Sequence, residues 1–239
     1  MSTTNKIVQP FWGSWFYNPL LFLFLALLLV VFVSCNSEDK DYAPEGGKSV
    51  WAECGLQHEV KQEVVEKAVV GYKKIKGKKN PEILTIIDFS KPSSQKRLYV
   101  CDLKRKKLLY KTYVAHGKNS GGIYARKFSN QEGSNQSSLG FFLTGNVYYG
   151  KAGRSLSIIG LEPEINDHAE DRHIVMHPSK YVNYTTIKRK GMLGRSLGCP
   201  AVPEKEAQKI INCIKGGSCL FVYANDKQYH RKSSLLCSK

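Results

Sequence analysis

The sequence is short of acids. It carries 20 Asp and Glu against 36 Lys and Arg in 239 residues, a formal net charge of +16. Such an excess favours anionic partners. Nucleic acid is set aside, because no helix-turn-helix cue, no RNP motif and no Cys-x-x-Cys pair accompanies the basic runs Lys73–Lys79 and Lys104–Lys107. The seven cysteines, at 35, 54, 101, 199, 213, 219 and 237, fall at no zinc spacing, so no metal is implied. There is no internal repeat. The longest apolar run, Leu20–Val33, has 14 residues, fewer than the roughly 20 that a membrane span needs. Hydrophobic residues still make up 42%, enough for one domain with a sizeable core.

What is present at the N-terminus points to export. The 14-residue run has the length of a signal-peptide h-region, with Lys6 ahead of it and Val33-Ser34-Cys35 directly after it. A small residue followed by Cys in that position resembles a bacterial lipobox, with Cys35 as the lipidated residue; Phe32 departs from the Leu usual there. The alternative is a plain signal anchor extended by Trp12, Trp15, Phe16 and Tyr17. The chain therefore divides into a signal peptide or membrane anchor at 1–35, a flexible linker at 36–55, a catalytic domain at 56–230 and a tail at 231–239. The expected address is the cell envelope, on the periplasmic or surface face, held to the membrane by the N-terminal anchor. Among the other cysteines, Cys101 and Cys219 lie in apolar strand-like runs and read as buried thiols, and spacing alone derives no disulfide pairing.

The periodicity predicts a mainly β domain with peripheral helices. Apolar residues at 60, 64, 65, 68, 69 and 72 have helical spacing, giving an N-terminal helix at about 58–75. Residues 207, 210, 211 and 214 give a second short helix at about 204–215. Between them lie strand-like runs at 83–89, 97–103, 108–115, 139–144, 156–161 and 173–177, with a closing strand at 218–223. The second and third runs form a hairpin, and the sheet is expected to be mainly antiparallel. A Gly/Ser/Asn-rich stretch from Gly117 to Ser138 is long enough to expect a functional role.

One turn carries the residues for acyl chemistry. In Gly194-Arg195-Ser196-Leu197-Gly198-Cys199-Pro200 a thiol sits in a Gly-bracketed turn whose backbone N–H groups can face an oxyanion. At its free pKa a thiol is only a few per cent thiolate at neutral pH, so it needs a base. His177, read as the end of the apolar run Ile174-Val175-Met176, lies 22 positions before Cys199. His116, followed by Gly117, competes for the part.

His177-Pro178, the gap 179–195 and Ser196-x-Gly198-Cys199 together resemble the signature of the YkuD-type L,D-transpeptidases. Further blocks resemble their murein L,D-transpeptidase catalytic domain branch: 87–91, 114–121, 137–141, 194–203 and 216–219, covering about 56–224. The resemblance implies a YkuD-like β-sandwich catalytic domain and a cysteine acyltransferase. Its Cys199 would form a thioester with a peptidoglycan stem peptide, and a second stem peptide would resolve it into a 3–3 cross-link. His177 would be the base, Ser196 a motif residue shaping the turn, and Arg195, Gly198 and His116 would meet substrate. No cofactor is implied, and carbapenem-type inhibitors are expected to acylate the thiol. The alternatives are an L,D-carboxypeptidase or cross-link hydrolase on the same site, and a non-catalytic wall-binding lipoprotein. Pro178 in place of Gly and Leu197 in place of the second motif His depart from the broad family, as does Ala201 in place of a polar residue.

Overall fold

A computed structural model describes residues 46–237. The leader at 1–35, Cys35 and the first ten residues of the expected linker lie outside them. Eight strands form one sheet: β1 (Ile83–Asp88), β2 (Leu98–Asp102), β3 (Lys107–Thr112), β4 (Gly140–Gly150), β5 (Gly153–Gly160), β6 (Val175–Ser179), β7 (Ala201–Pro203) and β8 (Cys219–Tyr223). Their order is β3-β2-β1-β8-β4-β5-β6-β7. The expected β2–β3 hairpin is antiparallel, but the sheet holds two parallel pairs, β1–β8 and β6–β7. Beyond β3 the chain pairs Ala115 with Ala201 and Gly117 with Ser196. The segment leaving one edge strand thus reaches the other edge strand, and the sheet curls towards closure.

The helices explain the strand sequences. Helix α2 (Gln62–Lys74) buries Val64, Val65, Ala68, Val69 and Tyr72, and α4 (Glu204–Ile214) buries Ala207, Ile210, Ile211 and Ile214. These two match the helices expected at 58–75 and 204–215, trimmed at their ends. Every residue of β1, β2 and β8 is buried, as in a strand covered on both faces, so these strands read as continuous apolar runs instead of alternating ones.

Three short helices escaped the periodicity, because six or seven residues hold too few turns to show it. Helix α1 (Gly47–Glu53) falls in the stretch expected to be flexible linker; Val50 and Cys54 bury against the core, so the domain begins earlier than residue 56. Helix α3 (Tyr184–Lys190) is capped by Asn183, whose side chain accepts from the Thr186 N–H at 2.7 Å. Helix α5 (Lys227–Lys232) starts at the Asp226 cap and carries the expected tail back onto the body. Ser233 there is buried and donates to Glu162, while Leu235 and Leu236 pack on the core.

Candidate functional site

Strand β6 and the turn before β7 build the site. In the parallel pairing His177 stands opposite Ala201, and the His177 N–H donates to the Pro200 carbonyl at 3.3 Å. Cys199 lies two residues before Ala201, level with Val175, so it shares an edge and a face with His177. His177 is not the strand end that its apolar prelude suggested. It sits in the middle of β6, because the strand runs on through Pro178 to Ser179. Its Nδ1 lies 2.9 Å from the Pro178 carbonyl. That contact takes a proton on Nδ1 and leaves Nε2 as the ring's acceptor.

The Cys199 sulfur faces the start of β6. It accepts the Val175 N–H at 3.5 Å and donates to the His173 carbonyl at 3.6 Å. His173 holds φ +53, a left-handed conformation that costs a non-glycine residue of order 1–3 kcal/mol and here turns its carbonyl to the thiol. Burial pushes the thiol pKa up. The Val175 N–H, the Arg172 guanidinium and the Cys199 N–H pull in the other direction without overcoming burial. At rest the group is a neutral thiol in surroundings already shaped for a thiolate.

The turn is held by its own motif. Ser196 Oγ donates to the Cys199 carbonyl at 2.6 Å and accepts the Gly198 N–H at 3.1 Å. Ser196 is therefore the turn-shaping residue its motif position implied. One consequence corrects the reading of the turn: the Gly198 N–H is engaged, which leaves the Cys199 N–H as the amide beside the sulfur. Gly198 has φ +132, and a Cβ there would stand 3.0 Å from both the Gln136 carbonyl and Ile174 Cδ1. Gly194 is needed for close approach, since a Cβ would meet Tyr181 Cβ at 2.5 Å.

The Gly117–Ser138 stretch packs behind this turn. Ser137 Oγ donates to the Gly198 carbonyl at 2.9 Å and accepts the Gly117 N–H at 3.0 Å. His116, expected to meet substrate or to compete as base, is 1% exposed. Its Nδ1 accepts from Arg97 Nη2 at 2.8 Å and its Nε2 lies 3.4 Å from the Gly121 carbonyl. Burial, then the Arg97 charge, lower its pKa to about 4. A ring so enclosed positions the turn instead, through its own carbonyl, which accepts the Ser196 N–H at 3.0 Å. Arg195 is exposed, and its Nη1 bonds the Lys118 and Gly121 carbonyls at 3.2 and 3.0 Å.

Arg172 was not singled out in the sequence. Its Nη1 donates to the Ser129 carbonyl at 2.5 Å and Ser138 Oγ at 2.6 Å; its Nη2 donates to the Gln136 carbonyl at 2.7 Å and Ser134 Oγ at 3.2 Å. The one available hint was a cation at the head of the apolar run that ends in His177. Beyond His177 a cleft of about 500 Å³ opens at Ser179 and Pro203. Lys96, Lys180 and Lys205 outnumber Glu204 and Glu206 in its walls, and Tyr113 and Tyr184 supply aromatic faces. Among the described residues no three His, Cys, Asp or Glu side chains converge as metal ligands.

Comparisons with known proteins agree with this geometry. A comparison with curated proteins found no match. Among solved structures, an L,D-transpeptidase from Mycobacterium smegmatis is 13% identical with a TM-score of 0.39, over 60% of this chain and 59% of its own. The present chain thus spans less than two thirds of that protein's length. An L,D-transpeptidase from Stackebrandtia nassauensis is 12% identical with a TM-score of 0.37, over 75% of this chain and 77% of its own. An L,D-transpeptidase in complex with imipenem is 10% identical with a TM-score of 0.37, over 59% of each chain. Scores this low add no weight of their own. The family model of the L,D-transpeptidase catalytic domain matches residues 56–223, which hold β1 to β8 and the whole Cys199 turn, and the chain belongs to that family.

Proposed function

We propose that the protein is a peptidoglycan L,D-transpeptidase working through a thioester on Cys199. The observation that carries this reading is the β6–β7 register, which aligns Cys199 with His177 while Arg172 and two N–H groups address the sulfur. His177 Nε2 takes the thiol proton, and the sulfur attacks the carbonyl of the diaminopimelate residue in a stem tetrapeptide. The C–N bond breaks, D-alanine leaves with the proton carried by His177, and the thioester remains. The amine of a second stem peptide attacks it, giving a 3–3 cross-link and the free thiol. The Cys199 N–H faces the oxyanion in both steps. The lysine-rich cleft beyond His177 suits carboxylate-bearing peptides, and Arg195 has guanidinium donors to spare for a carboxylate. The leader and Cys35 place the reaction in the cell envelope, with the domain tethered to the membrane. No helix among the described residues is long and apolar enough to cross it.

Intact mass after exposure of the full chain to imipenem tests the nucleophile. A single adduct on the wild type and none on Cys199→Ala is the expected result; equal labelling of both removes Cys199 from the part. Incubation with a stem tetrapeptide then reports the acceptor. Dimer formation is expected, whereas tripeptide alone assigns the site to an L,D-carboxypeptidase. Neither product, with no adduct, leaves a wall-binding domain.

A further inference from the structure

We propose that Cys54 and Cys101 are a thiol pair built to close into a disulfide, fastening the N-terminal segment of the domain to the sheet. The six cysteines of the described residues are free thiols, but these two are not isolated from one another. Their side chains are hydrogen-bonded to each other. Cys54 caps α1, its N–H donating to the Val50 carbonyl at 3.0 Å. Cys101 lies in β2 where the pairing with β3 is irregular, between Val100 and Cys101. A second contact ties the same two elements together: Glu53, beside Cys54, holds Lys106 of the β2–β3 turn at 3.0 Å. The two thiols therefore meet across a corner that is fixed without them.

The pair is also unequal, which gives the exchange a direction. Cys54 retains 4% exposure and Cys101 none. The hydrogen bond from Cys101 lowers the Cys54 pKa, whereas the same bond and burial raise that of Cys101. Cys54 is the thiol that an oxidant reaches first and the better thiolate of the two. The oxidant class is a disulfide, small or carried by a protein. The Cys54 thiolate attacks one of its sulfurs, and the first thiolate leaves. Cys101 then gives up its proton and attacks the Cys54 sulfur of the mixed disulfide, expelling the second thiolate. Two protons and two electrons pass to the oxidant, which departs as two thiols. Cys101 need never be exposed.

The enclosed loop, Cys54 to Cys101, contains α2 and β1. In an exported protein the bond would stop α1 from fraying at the end nearest the membrane anchor. Cys213 is the competing partner, because the Asp102 charge acts on both Cys54 and Cys213.

The test uses the full chain, reduced and then equilibrated with oxidised and reduced glutathione. Acid quenching, unfolding, alkylation and peptide mapping follow. The expected product is a peptide containing Cys54 joined to one containing Cys101, lighter by two hydrogens, with Cys213 alkylated. Reduction should lower the Tm of this species by roughly 10 °C, and should not change the Tm of Cys54→Ser. Alkylation of both Cys54 and Cys101, a lasting glutathione adduct on Cys54, or a link from either to Cys213 overturns the proposal.

Discussion

Two arginines stand on opposite sides of the Cys199 turn, and among the described residues neither has a carboxylate within salt-bridge distance. Arg97 is 0% exposed. Its Nε and Nη2 donate to the Val114 carbonyl at 3.0 and 2.9 Å, Nη1 to the Lys91 carbonyl at 2.9 Å, and Nη2 also to His116, while Phe89 lies under the guanidinium at 4.8 Å. Arg172 is half-buried and makes as many bonds, but its charge reaches the Cys199 sulfur. The same group, neutralised by dipoles in both places, therefore does different things. Arg97 gives shape: it fixes the strand exit whose His116 carbonyl holds Ser196. Arg172 gives field as well as shape. The comparison separates what makes the site exist from what makes its sulfur reactive.

Removing Arg97 should have the largest effect on the fold. Arg97→Met leaves the Val114 and Lys91 carbonyls and His116 Nδ1 buried without their donor. Each costs about 1–3 kcal/mol, so a total near 4 kcal/mol is expected in urea unfolding once the relief of an unburied charge is counted. Arg97→Lys should recover little, because one ammonium cannot span acceptors that a planar fork reaches together.

The pH dependence of stability sharpens the same half of the comparison. His116 titrates near 6.5 when unfolded and at about 4 when folded. The folded state thus binds fewer protons between those values. Its stability is fully present above the unfolded pKa and is lost as pH falls towards the folded one. About 3 kcal/mol should disappear between pH 7 and pH 4. In His116→Asn, whose amide oxygen can accept from Arg97 without titrating, urea midpoints across that window should lie nearly flat. An unchanged slope would mean that another group carries the acid sensitivity.

These two residues also mark how far the sequence could be read. The apolar runs of β1, β2 and β8, the spacing of α2 and α4 and the Ser196-x-Gly198-Cys199 turn were legible, because each is a local pattern that long-range packing reinforces. His116 was noticed for the right reason, a His-Gly at a strand exit, but given the wrong neighbour: only the fold brings Arg97 to its Nδ1 from 19 residues away. Arg172 left almost no mark, since its partners at 129–138 lie 34 to 43 residues earlier and are serines and carbonyls that any loop offers. Helix α1 was hidden by the tether-like composition around it. What stayed illegible was polar contact across distance.

Arg172 breaks the comparison at its other end, with a smaller effect that is read in rate. Arg172→Gln keeps hydrogen-bonding capacity in the loop and deletes the charge. Burial then raises the Cys199 thiol with less opposition, so the rise of imipenem acylation with pH should move to more alkaline values. At pH 7 a tenfold slower acylation is expected, which corresponds to about 1.4 kcal/mol. Arg172→Lys should restore much of the pH profile, because a point charge serves the sulfur, yet not the thermal stability, because an ammonium cannot reproduce the four bonds to the 129–138 loop. The mild Arg97 variant, Arg97→Lys, should show the converse: lower stability with the profile in place. If Arg172→Gln instead slows acylation by the same factor at every pH, the charge contributes nothing to the thiolate and Arg172 joins Arg97 as a residue of shape alone.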